Sequence, residues 1–282
     1  MSTSRVALVG TPLRRRHSEV MHNAAFARFG IDARYELRPT ETGELAVVFL
    51  EARGREWLGL QVTAPHKQAA MSLIDEIEPG AEVIGAINTV IRTSTGRLVG
   101  LNTDAPGFAR SVREDLHMDL SGAVVAVAGA GGAARAVVQV CLNSGASTVS
   151  IGNRTQSAAQ TLAAGFDDDR VRGAEIGSEF DAALRGADLA VNATTVGMSS
   201  AGAAFDVSLL PDHAKVLDLV YTPRSTELVA SATARGLAAV NGMGMLVAQA
   251  AIAFERWTGV SGAEDVMRQA LERLADDTGS EI

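Results

Sequence analysis

A run of small and β-branched apolar residues, Val124-Val125-Ala126-Val127-Ala128, leads directly into Gly129-Ala130-Gly131-Gly132-Ala133-Ala134-Arg135-Ala136. The residues from Ala136 to Leu142 then have helix-forming composition. Together they make a G-x-G-x-x-G/A pattern in the strand–turn–helix setting that gives the pattern meaning. Gly129 and Gly131 allow a tight turn and close backbone approach, and the helix N-terminus offers unbonded N–H groups to a pyrophosphate. The competing reading is an ordinary βα turn of a parallel sheet. Further strands are expected at Thr148–Ile151, Leu189–Asn192, Val216–Val220 and Ala238–Val240, alternating with helices. That alternation predicts an α/β chain with a doubly wound parallel sheet covered by helices on both faces.

The chain before the glycine turn is also rich in β and α signals. Strands are expected at Val6–Val9, Arg34–Leu37 and Trp57–Val62, with helices at Glu19–Phe29 and Glu44–Arg53. Pro65 suits the first turn of a helix starting near His66. Ala86–Arg92 and Arg97–Leu101 resemble a hairpin-like pair around Thr93–Gly96. Two helices, Met243–Trp257 and Ala263–Leu274, close the chain. Its 282 residues leave room for two domains: residues 1–105, completed by C-terminal helices in 241–282, and residues 106–240.

Composition narrows the function classes. A net charge of −8 argues against a nucleic-acid or membrane-surface partner, and no apolar run approaches the ~20 residues needed to span a bilayer. The N-terminus lacks the apolar core of a signal peptide, and the single cysteine, Cys141, cannot form an internal disulfide; a cytoplasmic location is expected. No metal-ligand cluster stands out, and a monomer or a homodimer is expected. Of the 25 basic residues all but Lys67 and Lys215 are arginine, which singles out each lysine for scrutiny.

Eight short strings, in order, resemble the shikimate dehydrogenase family. They are Val62-Thr63-Ala64-Pro65-His66-Lys67, Gly85-Ala86-Ile87-Asn88-Thr89, Gly100-Leu101-Asn102-Thr103-Asp104, the Gly129–Ala136 turn, Asn153-Arg154-Thr155, Asn192–Met198, Asp218–Pro223 and Asn241–Ala250. The resemblance implies an N-terminal substrate domain, a Rossmann-type NADP-binding domain, and a cleft between them. It also implies hydride transfer between a nicotinamide and 3-dehydroshikimate or shikimate. Reducing a ketone needs a proton donor at the oxygen that gains charge, and the family's lysine–aspartate pair falls on Lys67 and Asp104. Competing readings are a helix N-cap ahead of Pro106 for Asp104 and a solvated side chain for Lys67.

The resemblance places substrate contacts at Thr63, Asn88, Tyr221 and Gln249. An amide in an apolar segment needs a partner, which a buried structural network would equally supply; packing is the alternative for Tyr221. Cofactor contacts are expected at Gly129, Ala130, Gly131, Gly132, Ala133, Asn153, Arg154, Thr155, Thr194, Val220, Gly242 and Met245. The second strand of the cofactor domain ends on Asn153-Arg154-Thr155 where an NAD site would carry an acidic residue. A carboxylate repels a 2′-phosphate and an arginine binds it, so NADP is expected rather than NAD. Ala158 stands where the family often has a second basic residue. Met198 and Met243 fit the nicotinamide wall or simple core filling.

The chain departs from the family at its N-terminal substrate motif. Arg16 replaces the first of two substrate-binding serines, Ser18 keeps the second, Glu19 replaces a proline, and Gln61 replaces a substrate-contacting asparagine, so Arg16, Ser18 and Gln61 are further candidate substrate contacts. Arg16 either binds a substrate carboxylate bidentately, or with Gln61 fills space and changes the substrate. The Arg14-Arg15-Arg16 run is otherwise a solvated loop. Quinate or a related hydroxy acid is therefore an alternative substrate, and a non-catalytic NADP-binding regulatory paralogue the alternative function.

Overall fold

A computed structural model describes residues 3–13, 15–198 and 201–278. Arg14 lies outside the described residues. The chain forms two compact units, one from the residues up to Asp104 and again from Val247, the other from Ala105–Leu246.

The first unit opens with β1 (Ser4–Gly10), α1 (His17–Arg28), β2 (Ala33–Pro39), α2 (Leu45–Glu51) and β3 (Trp57–Val62). Then come β4 (Glu76–Ile77), α3 (Pro79–Ile84), β5 (Thr89–Arg92) and β6 (Leu98–Leu101). The strands make a six-stranded sheet in the order β2-β1-β3-β5-β6-β4, parallel from β2 to β3 and antiparallel from β3 through β6. Two expectations need correction. No α-helix starts at His66; the segment makes turns and a 3₁₀ stretch at Ala69–Leu73, because the Lys67 carbonyl accepts from Ile87 N–H (2.9 Å) instead of continuing a helix. The strand expected from Ala86 becomes regular only at Thr89, so Asn88 stands at its entrance, with its carbonyl accepting from Val62 N–H (2.7 Å) and its N–H donating to the Leu101 carbonyl (3.1 Å).

The second unit runs through α4 (Asp104–Glu114), β7 (Val124–Ala128), α5 (Gly132–Asn143), β8 (Thr148–Asn153), α6 (Gln156–Ala164), β9 (Val171–Glu175) and α7 (Ser178–Leu184). It continues with β10 (Leu189–Asn192), β11 (Lys215–Asp218), α8 (Glu227–Ala234) and β12 (Ala238–Asn241). All six strands are parallel, in the order β12-β11-β10-β7-β8-β9, which is a doubly wound sheet. Alternation decides what each face holds. Val125 and Val127 face the core that includes Phe108, Val137 and Leu162, while Ala126 and Ala128 face the one that includes Phe180, Leu184 and Leu228. Both faces are covered, so β10 reads as a continuous buried run (Leu189-Ala190-Val191-Asn192) with no polar alternation.

The last helices are α9 (Met243–Thr258) and α10 (Glu264–Thr278). Within the first unit, Trp257 of α9 lies against β3 at Gly59 and donates its indole N–H to the Val90 carbonyl (2.9 Å). A Cβ at Gly59 would come within 1.9 Å of that carbonyl oxygen, so the helix seat requires glycine.

Candidate active site

In the first unit the predicted catalytic pair is formed. Lys67, just beyond β3, donates from Nζ to Asp104 Oδ2 at 2.5 Å, and both side chains are largely sheltered (17% and 10% exposed). Asp104 is the first residue of α4, one position inside the N-cap that the competing reading gave it, and its carboxylate stands at the end of the β6 connection. Its second oxygen, Oδ1, accepts from Asn88 Nδ2 (2.8 Å), which also donates to Thr103 Oγ1 (2.9 Å). The Asn88 amide cannot be turned over: its Oδ1 accepts from Thr103 N–H (2.7 Å), an unambiguous donor, and from Thr89 Oγ1 (3.1 Å). Asn88, expected as a substrate contact, therefore holds the carboxylate that faces Lys67.

The network continues inward. Gln249 Oε1 accepts from Thr103 Oγ1 (3.3 Å) and from Gln61 Nε2 (2.8 Å), and the Tyr35 hydroxyl donates to Gln61 Oε1. Gln61 and Gln249 are buried. Thr63 lies one residue past β3, half-buried, with its N–H on the Val9 carbonyl (2.9 Å). Arg16 and Ser18 sit at the start of α1 and are not brought into this network. Arg16 is exposed and donates to Glu19 Oε2 (2.6 Å), which raises the guanidinium's affinity for its proton. The two residues that depart together from the family pattern thus pair with each other.

The predicted cofactor residues of the second unit gather on one edge of its sheet. Gly129–Ala133 follow β7, Asn153–Thr155 close β8, and Thr194, Val220 and Gly242 lie beyond the ends of β10, β11 and β12. In a parallel sheet those are all C-terminal ends, and the strand order reverses between β7 and β10, where ligands of such sheets bind. Gly129 has φ +116°, and a Cβ there would lie 2.8 Å from the Ala193 carbonyl oxygen in the loop after β10. Gly131, in extended conformation at the N-cap of α5, would meet nothing within 4 Å, leaving open space at the helix N-terminus. Ala134 is fully buried and completes the pattern by close helix–sheet packing. These features fit a bound pyrophosphate: free N–H groups, the positive end of a twelve-residue helix, and a cradle without side chains.

Arg154 is exposed at the end of β8, and among the described residues it has no ion-pair partner, so its guanidinium remains available to an anion. Met245, expected as a cofactor contact, is buried in the core with Val127 and Leu217. Tyr221, expected on the substrate side, belongs to the second unit, directly after Val220.

Sequence reasoning missed the polar frame under these loops. Asp218, fully buried at the end of β11, accepts from Thr226 Oγ1 (2.6 Å), Asn192 Nδ2 (2.7 Å) and Val220 N–H (3.0 Å). Burial raises the Asp218 carboxyl above its ordinary range, against the opposing pull of those donors. Asn192 Oδ1 in turn accepts from Thr194 N–H (2.9 Å) and Oγ1 (2.6 Å). The signal was present: an asparagine and an aspartate closing short strands directly after apolar residues, Leu189-Ala190-Val191 and Val216-Leu217. Cys141 is inert by contrast, its thiol pushed up to about 12 by burial in the core.

Family models match residues 8–90 (shikimate dehydrogenase substrate binding domain), 111–199 (shikimate / quinate 5-dehydrogenase) and 242–272 (shikimate 5′-dehydrogenase C-terminal domain). The chain is 41% identical to a shikimate dehydrogenase (NADP(+)) of Methanopyrus kandleri, covering 96% of each protein. It superposes with TM-score 0.86 and 35% identity on shikimate 5-dehydrogenase from Thermus thermophilus in complex with NADP(H) and shikimate, covering 96% of this chain and 99% of that one. Quinate dehydrogenase from Corynebacterium glutamicum in complex with NAD gives 0.88 and 31%, with coverages of 96% and 99%.

Proposed function

Because the chain belongs to the shikimate dehydrogenase family, we propose that it is an NADP-dependent oxidoreductase interconverting 3-dehydroshikimate and shikimate. The observation that carries this reading to the residues is the Lys67–Asp104 pair, sheltered and locked by Asn88. The nicotinamide cofactor supplies or receives the hydride. Lys67 Nζ moves the proton at the substrate oxygen: it donates as the ketone is reduced and accepts as the alcohol is oxidised. Asp104 fixes the ammonium through Oδ2, and Asn88 fixes Asp104 through Oδ1, so the proton donor does not have to be positioned at the moment of reaction.

Thr63 and Gln249 would bind the substrate's oxygens, with Ser18, Arg16 and Tyr221 as further contacts. Gly129–Ala133 would hold the pyrophosphate at the α5 N-terminus. Asn153, Arg154 and Thr155 would receive the adenosine end, Arg154 pairing with the 2′-phosphate that distinguishes NADP. Thr194, Val220 and Gly242 would line the nicotinamide end. None of the described helices is long and apolar enough to cross a membrane.

Initial rates with shikimate and with quinate, each against NADP and NAD, test the proposal. The expected result is highest kcat/KM for shikimate with NADP. Preference for quinate would move the assignment to the other activity named in the matching family model. No turnover of either would overturn it.

A further inference from the structure

Lys67 stands between β3 and the 3₁₀ stretch at Ala69–Leu73, where neither helix nor strand fixes the backbone. A proton donor there needs other supports. One is the bond from Ile87 N–H to the Lys67 carbonyl (2.9 Å), which ties Lys67 to the residue before Asn88. Another is the neighbouring side chain. His66 is buried, and its Nε2 lies 2.7 Å from the Thr40 carbonyl oxygen. A carbonyl only accepts, so Nε2 carries the proton and the imidazole is the donor. Thr40 is itself a fixed post just past β2. It is buried, its N–H donates to the Gly10 carbonyl at the end of β1 (3.0 Å), and its hydroxyl donates to the Arg38 carbonyl (2.8 Å).

We infer that His66 is a positioning residue for the proton transfer: by holding the Thr40 carbonyl it sets the path of the backbone at Lys67, so that Nζ meets Asp104. This rests on the functional reading above, in which Lys67 moves the proton at the substrate oxygen. A lysine has a long flexible stem, and from a backbone free to shift its ammonium would reach many points. Here the Lys67 carbonyl is held from the β5 side and its neighbour from the β2 side, so the ammonium returns to one place. The His66 backbone tightens the same turn, its N–H on the Thr63 carbonyl and its carbonyl on Ala70 N–H (both 2.9 Å). The Nε2 proton is spent on Thr40, and what it steers is the adjacent residue.

The test compares reach at position 66. His66→Gln carries an amide N–H to about the place of Nε2, His66→Asn stops near Nδ1, short of Thr40, and His66→Phe keeps a ring without a donor. His66→Asn and His66→Phe are each expected to lower kcat for shikimate roughly thirtyfold with the KM for NADP within about twofold, and His66→Gln to restore kcat to within about threefold of wild type. A second readout needs no turnover. The chain has two lysines, and the other, Lys215, donates to the Leu116 carbonyl (2.7 Å) in the second unit, where it serves as an internal reference. Acylation by acetic anhydride, read at each lysine by mass spectrometry, is expected to be about fivefold faster at Lys67 in His66→Asn and His66→Phe than in wild type or His66→Gln, with Lys215 unchanged. Several outcomes would overturn the inference: kcat unmoved in the folded variants, His66→Gln as impaired as the other two, faster acylation of both lysines, or lost turnover without faster acylation at Lys67. If one of His66→Asn and His66→Phe does not fold, the other decides; failure of both beside a folded His66→Gln would give the bond to folding and overturn the inference too. Wild-type turnover of shikimate is measured beside them. Its absence overturns the functional reading and this inference together, whereas normal wild-type turnover with an unmoved kcat in the variants overturns this inference alone.

Discussion

Asp104 of the first unit faces an ammonium 2.5 Å away; Asp218 of the second is met by neutral donors from Thr226, Asn192 and Val220. Both close a β-strand or its connection, and both are buried. A carboxylate with a cationic partner has one oxygen committed to a group that exchanges protons. A carboxylate among hydroxyl, amide and backbone dipoles carries no such group, and what it organises is chain: the loops after β10 and β11. The contrast separates the residue proposed to serve chemistry from one that serves architecture, although burial alone looks the same for both.

The sharpest way to break that contrast is at Lys67. Lys67→Met is expected to lower kcat about a thousandfold, roughly 4 kcal/mol in the barrier, with the KM for NADP unchanged. Ordinary turnover in this variant would mean that the pair is architectural after all. The converse holds at Asp218. Asp218→Ala leaves the Thr226, Asn192 and Val220 donors without their acceptor in the interior, and is expected to destabilise the protein by about 3 kcal/mol in urea unfolding. Asp218→Asn, which keeps one acceptor oxygen, should cost less than half of that. Both should weaken NADP binding, since Thr194 and Val220 hang on this frame, while Asp104→Ala should weaken turnover far more than stability.

How much of this was legible follows the same division. The all-parallel sheet was readable because strands buried on both faces, such as Val124–Ala128, announce themselves by unbroken apolar runs between helices. β9 went unread because Val171-Arg172-Gly173-Ala174-Glu175 is an edge strand, only partly buried, with no apolar run. The 3₁₀ stretch at Ala69–Leu73 was unreadable for a different reason: a carbonyl spent on Ile87, far along the chain, is a tertiary fact. The residues proposed to touch ligand sit in recognisable strings; Thr103, Asn192 and Asp218 sit in the same strings, but what they do, like the Tyr35 bond to Gln61, depends on partners distant in sequence. Arg16 was readable as a departure but its pairing with Glu19 was not.

A smaller effect sharpens the comparison on the cofactor side. Arg154 is exposed, so its contact with a 2′-phosphate is partly screened by water. Arg154→Ala is expected to lower kcat/KM for NADP about tenfold, near 1.4 kcal/mol, and to leave the value for NAD within twofold. Equal losses with both cofactors would show that Arg154 supports the fold of the β8–α6 turn and does not read the phosphate.

Two buried groups, one in each unit, answer pH with opposite sign. His22 in the first unit is fully buried, has no hydrogen-bond partner at either ring nitrogen among the described residues, and is held down to about 3 by burial, against an ordinary value of 6.5. The unfolded chain takes up this proton and the folded chain does not, so stability present above pH 6.5 is lost as pH falls toward 3. Asp218 is raised by burial, so its contribution is complete below the ordinary carboxylate range and is lost as pH rises through its folded value. His22→Phe keeps a ring against Tyr35 and removes the first effect only. Measured by urea unfolding at about pH 7 and about pH 5.5, the variant should lose about 1 kcal/mol less than wild type over that interval. An equal loss in both proteins would place the acid sensitivity elsewhere, and would leave Asp218 as the one buried group of this pair whose titration shapes stability.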